Sequence, residues 1–129
     1  MAHRQIGLSY LVEYSGCPQS ILMNEQHLLS LLSAAAELSG IKPIHEFVKS
    51  DISGATGFVT TPDASYSFHS FAEFGYVAVN IFTSRMDLKI QSSIDFLVDE
   101  LNAKQVNWQK YPRGPNSQLK PLNVPPNNW

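Results

Sequence analysis

The sequence predicts an α+β fold: a two-layer α/β sandwich in which one antiparallel sheet carries two helices on one face. Three observations predict it. Runs rich in β-branched and aromatic residues (Ile6–Tyr14, Ile41–Lys49, Tyr66–Phe71 and Tyr76–Thr83) alternate with Gly- and Pro-containing turns. Two other segments, opening near Asn24 and Asp87, repeat apolar residues at helical spacing. At 129 residues and 43% hydrophobic, the chain fits one domain with one core. Helices that are apolar along one stripe must bury it, and a sheet face is the surface on offer.

Composition excludes several function classes. The formal charge is -2, so no basic surface points to nucleic acid or to an anionic membrane. No apolar run approaches the roughly 20 residues of a spanning helix. Met1–Gln5 lacks the apolar core of a signal peptide. Cys17 is the single cysteine, which leaves no internal disulfide and no cysteine-based metal site. A cytoplasmic protein is expected.

In chain order, Ile6–Tyr14 is read as a strand ended by the turn chemistry of Ser15-Gly16-Cys17-Pro18. Cys17 reads as a small buried hydrophobe with no catalytic role. Asn24 is placed as the N-cap of a helix of about four turns, with Glu25 in its first turn. Leu28, Leu31, Leu32, Ala35 and Leu38 form its stripe, and Gly40 stops it. His27 reads as solvated or capping. Ile41–Lys49 follows as a second strand. Gly54 and Gly57 bracket Thr56, a pattern suited to close backbone approach. Tyr66–Phe71 and Tyr76–Thr83 are two more strands, the second nearly all apolar, as a central strand would be. Asp87 is placed as the cap of a second helix with Ile90, Ile94, Leu97, Val98 and Leu101 as its stripe, closed by 102–104. Gln105–Gln109 is a short last strand. The domain is drawn as 1–110. The tail, 111–129, holds five of the eight prolines and is expected to be extended, disordered or draped over a partner.

The segment Asp63–Tyr76 (DASYSFHSFAEFGY) resembles the processing segment of the small bacterial S-adenosylmethionine decarboxylases, the pyruvoyl enzymes of polyamine (spermidine) synthesis. There the pattern reads Glu-Ser-His, two apolar-type positions around a Ser or Thr, then His-Thr-Trp-Pro-Glu-Tyr-Gly-Tyr. His69, Glu73, Gly75 and Tyr76 fall on it without a gap. Gly7, Leu11, Val12, Glu13, Gly16 and Cys17 match the family's first strand, and His45-Glu46-Phe47 resembles its His-Lys-Phe element. Gly54–Val59 matches Gly-Val-Ser-Gly-Val-Val, and Tyr76–Ser84 resembles Tyr-Ala-Ala-Val-Asp-Val-Phe-Thr-Cys. The resemblance covers roughly residues 6 to 113. A few extra residues separate Phe47 from Gly54.

The resemblance implies a specific chemistry and places its residues. A protein-derived pyruvoyl group is an electron sink for decarboxylation. It arises when a Ser hydroxyl attacks the carbonyl before it; elimination then cuts the chain. Ala64 stands at that Ser position, and an alanine has no oxygen to attack or to leave. Asp63 replaces the preceding Glu. Ser84 stands where the family carries its proton-donating Cys, and a hydroxyl titrates far above a thiol. Thr56 keeps the hydroxyl of the Ser that helps processing, and His69 is retained. Phe47 and Phe71 match aromatics that stack adenine; Glu73 matches the acid on the ribose hydroxyls. Each has an ordinary alternative: core aromatics for Phe47 and Phe71, a solvated loop acid for Glu73, a satisfied core histidine for His69.

The leading reading is a family member that does not self-process, forms no pyruvoyl cofactor, and binds S-adenosylmethionine or a related nucleoside. As the family is dimeric, the resemblance implies a homodimer, or a heterodimer with an active paralogue that it regulates. One alternative is an active decarboxylase whose pyruvoyl forms at Ser65. The other is a pyruvoyl-free enzyme using His69, Glu73 and Ser84.

Overall fold

The computed structural model describes residues 5–115 and 118–123. Met1–Arg4, two residues of the tail (116–117) and its end (124–129) lie outside them, including most of the N-terminal stretch read for a signal peptide. Six strands form one fully antiparallel sheet: β1 (Gly7–Ser15), β2 (His45–Ser50), β3 (Ala55–Thr61), β4 (Ala64–Phe71), β5 (Tyr76–Thr83) and β6 (Gln105–Arg113). Their order is β2-β3-β4-β5-β1-β6, so β5 is interior, as its apolar sequence requires. Three helices intervene: the short α1 (Gln19–Leu22), α2 (Glu25–Ser39) and α3 (Ile90–Glu100).

Period-2 alternation explains why the helices lie on one face only. Along β4, Ala64, Tyr66, Phe68 and Ser70 are buried, while Ser65, Ser67, His69 and Phe71 turn the other way. Val77, Val79 and Ile81 of β5 and Tyr10, Val12 and Tyr14 of β1 join the buried layer beneath Leu28, Leu32, Ala35, Ile94 and Leu97. The phenols in this core are satisfied. Tyr14 donates to the Ile94 carbonyl at 3.0 Å, and the Tyr66 hydroxyl pairs with Ser93 Oγ at 2.8 Å. Burial pushes both phenol pKa values up. Cys17 is buried as expected, and burial raises its thiol too.

The helix signals divide. Asn24 Oδ1 accepts from the His27 backbone N–H at 3.0 Å, and Gly40 ends α2 at φ 114°, so both ends of α2 match the sequence. Leu38, however, is 49% exposed; Ala36 and Ser39 are buried in its stead. At about 100° per residue, position 38 falls at the outer margin of the stripe, just beyond Leu31, whereas position 39 falls near its centre. Asp87 does not cap α3. It binds Arg85 at 2.8 Å, which holds its carboxyl below the usual range, and α3 starts after Lys89.

Three strand boundaries also move. β2 begins at His45 rather than Ile41. β4 begins at Ala64, two residues before Tyr66. β6 runs to Arg113, crossing the boundary drawn at 110. Pro112 had signalled a tail. Pro112 stands opposite Leu8 in a register in which the even-numbered residues of β6 turn their N–H outward, as Lys110 does. Its missing donor therefore costs the sheet nothing.

Candidate functional site

The site residues fall at two ends of β4. At its start, Ala64 is buried among core residues and pairs with Thr61 and Thr83. The carbonyl before it, that of Asp63, accepts from the Ser84 N–H at 2.9 Å, the Thr83 hydroxyl at 3.2 Å and the Ser84 hydroxyl at 3.4 Å. Three donors on one carbonyl oxygen would stabilise negative charge developing there. Asp63 is itself anchored: its Oδ1 accepts from the Thr61 hydroxyl at 2.8 Å. The next carbonyl, that of Ala64, accepts from the Thr60 hydroxyl at 3.2 Å. Ser65 turns to the helix-free face, opposite Thr60 and Phe82.

At the other end, Thr56 and His69 are register partners on the helix-free face, with Thr56 Oγ1 3.4 Å from His69 Nε2. The Thr56 hydroxyl also donates to the Phe68 carbonyl at 3.2 Å. His69 is exposed, so it is no core histidine. The bracketing glycines are forced by approach. A Cβ on Gly54 would stand 1.7 Å from the Ser70 carbonyl oxygen, and one on Gly57 would stand 2.8 Å from that of Phe47. A notch beside His69 is lined by Lys49, Asp51, Gly54, Thr56, Ser70 and Phe71. Asp51 shapes its wall by accepting from Ser53 and Gly54, and these hydrogen bonds lower its carboxyl pKa.

The structure joins some expected residues and separates others. Thr56 and His69 meet. His69 and Ser84 do not: five residues of strand, about 17 Å, lie between His69 and position 64. One chain therefore gives His69 and Ser84 no nucleophile–base contact, which removes that pairing from the pyruvoyl-free reading. Phe47 is 46% exposed and stacks on Phe58 at 5.6 Å, whereas Phe71 stacks on Tyr76 at 6.1 Å. Both rings share the helix-free face, two strands and four residues apart, about 16 Å, too far to clasp one base between them. The residue facing Thr56 across β2 is Lys49. Glu73 is exposed in the 3-10 turn Ala72–Phe74 and lines a second hollow of about 200 Å³ with Glu25, which adjoins the notch beside His69 through Asp51 and Gly54.

Sequence reasoning gave no role to Glu13 and Tyr76. The Tyr76 hydroxyl donates to the Glu13 carboxylate across the helix-free face, and that bond, first among the causes, pushes the phenol up to about 12. The signal was available: both sit at alternating, outward positions of strands matched to the family. Among the described residues no group of His, Cys, Asp and Glu is arranged to hold a metal ion.

An antiparallel sheet with helices on one face, a backbone carbonyl held by three donors at one strand end and a Thr–His pair at the other, defines a two-layer α/β protein. The sequence pattern of the family described as S-adenosylmethionine decarboxylase matches residues 8–114. This chain belongs to that family. It is 26% identical over 110 residues to a protein of Thermococcus gammatolerans named S-adenosylmethionine decarboxylase proenzyme, covering 84% of this chain and 77% of the relative. A protein of the same name from Clostridium tetani is 27% identical over 111 residues, with 84% and 87% covered. The crystal structure of the adenosylmethionine decarboxylase of Aquifex aeolicus superposes with a TM-score of 0.74 at 21% identity, covering 91% of this chain and 98% of that one, which is a likeness of fold. No helix of the described residues is long and apolar enough to cross a membrane.

Proposed function

We propose that this chain is a family member that does not cut itself to make a pyruvoyl group, and that it serves as a nucleoside-binding partner protein. One observation carries the reading. The Asp63 carbonyl is held by three donors, yet residue 64 beside it is an alanine, without the hydroxyl that must attack and then leave. The family's cofactor is made from the chain itself, so no free cofactor is called for.

Phe71, stacked with Tyr76, offers a face for an adenine, and Glu73, two residues on, an acceptor for ribose hydroxyls. S-adenosylmethionine or a related nucleoside is the proposed ligand. The helix-free face supports association: Leu11 is 44%, Phe58 40% and Phe82 38% exposed on it, an apolar surface unusual for a solitary chain. Two chains packed through these faces about a two-fold axis running across the strands would set the Thr56–His69 end of one near the Ser84 end of the other. A second copy, or an active paralogue that lacks nothing at position 64, fits that arrangement, and a regulatory role goes with the second.

Intact-mass spectrometry of the purified chain tests the reading. A single mass for all 129 residues supports it. The second reading, cleavage before Ser65, has one observation in its favour, the Thr60 hydroxyl on the Ala64 carbonyl. It requires two fragments, the second opening with a pyruvoyl group at position 65, and that result sinks the first reading. Ligand binding is read separately, as a rise in Tm with S-adenosylmethionine that Glu73→Gln removes.

A further inference from the structure

We propose that residues 118–123 form an intramolecular strap on the free edge of β6, and that this edge is a strand-addition surface for a second copy of the chain when the strap is off. β6 is the last strand of the sheet, and an uncovered edge presents unpaired N–H and C=O groups that recruit other strands. In this chain three of those groups, at Trp108 and Lys110, are taken. The Leu122 N–H donates to the Lys110 carbonyl at 2.6 Å. The Asn123 side-chain amide does what a peptide unit of a seventh strand would do. Its Oδ1 accepts from the Lys110 N–H at 2.8 Å, and its Nδ2 donates to the Trp108 carbonyl at 2.7 Å. Pro121 is buried, and Leu119 lies against Ser9, Leu11, Tyr111 and Arg113 on the helix-free face. The strap thus bonds to the edge and packs beside it.

The occupant follows from the edge itself. Gln105–Arg113 carries Val106, Trp108 and Tyr111, holds no acidic residue, and forms a nine-residue strand. Its outward groups have just been shown to accept strand-like partners from the same polypeptide. Two such edges pair antiparallel about a two-fold axis, so that each pairing joins two chains and uses up both edges. Pro112, whose ring faces outward, limits the pairing to the Val106–Lys110 part of the strand.

The strap and the partner are tested separately. In the full chain the Lys110 amide is protected from hydrogen exchange, and Asn123→Ala removes that protection while the Tyr10 amide of β1 keeps its own. An unchanged Lys110 amide overturns the strap. For the partner, a chain ending at Pro115 is compared with the full chain by sedimentation at matched concentrations. The assembly mass doubles on truncation and returns to that of the full chain when Lys110→Pro is added, because proline removes an outward donor and no bond to β1. A truncated chain whose mass equals that of the full chain overturns the proposal, and so does an increase that survives Lys110→Pro. Neither outcome depends on whether position 64 is processed.

Discussion

The two ends of β4 differ in what they hold. At the Ala64 end the backbone is firmly held: one carbonyl, three donors and an anchored Asp63. Ala64 and Ser84 stand there at the positions where the family resemblance implies a Ser and a Cys. At the His69 end the side chains persist, Thr56 and His69 in contact and Glu73 beside the turn. The difference shows which features also serve the fold. The donors on the Asp63 carbonyl tie β4 to β5 and remain useful in an uncleaved chain, whereas a nucleophile and a proton donor serve only the reaction.

The sharpest way to break this comparison is to return the missing side chains. Ala64→Ser with Ser84→Cys should convert an uncut chain into two fragments ending at Asp63 and beginning at position 64, read by intact mass. An uncut double variant means that the carbonyl cradle is structural only. In that background His69→Ala should slow cleavage by about 10²–10⁴-fold, the usual worth of a positioned acid or base. An unchanged rate would mean that the two ends do not cooperate, within one chain or between two.

Smaller effects sharpen the contrast without chemistry. Gly54→Ala drives a Cβ onto the Ser70 carbonyl oxygen and should lower stability by about 1–3 kcal/mol in urea unfolding. Tyr66→Phe removes the hydrogen bond to Ser93, whose hydroxyl keeps its bond to the Ala35 carbonyl, and should lower stability by about 1 kcal/mol. The smallest change is a titration. The Tyr76 phenol, raised from 10.0 to about 12, contributes stability that is complete below pH 10 and lost as pH rises toward 12. Absorbance at alkaline pH should show one tyrosine titrating near 12, and Glu13→Gln should bring it down.

Much of the fold was legible in the sequence. Asn24 and Gly40 fixed α2 because capping is local chemistry, and runs of β-branched and aromatic residues marked β1, β4 and β5 because such side chains pack on a pleated surface. The misread elements each turned on a distant partner. Pro112 looked like a strand breaker until β1 on one side showed its nitrogen facing out. Asp87 looked like a cap until Arg85 claimed it. Leu38 fitted the stripe by spacing, but the sheet beneath α2 does not extend under it.

The sequence by itself determined the family, the α+β class and the absence of a hydroxyl at position 64 and of a thiol at position 84, because these depend on which atoms a side chain has. Only the tertiary structure decided what meets what. It paired Thr56 with His69, parted His69 from Ser84 and Phe47 from Phe71, joined Tyr76 to Glu13, and laid Asn123 on the edge of β6. Each of those contacts depends on the register of a strand with a neighbour that is far away in the chain, and register is a property of the assembled sheet.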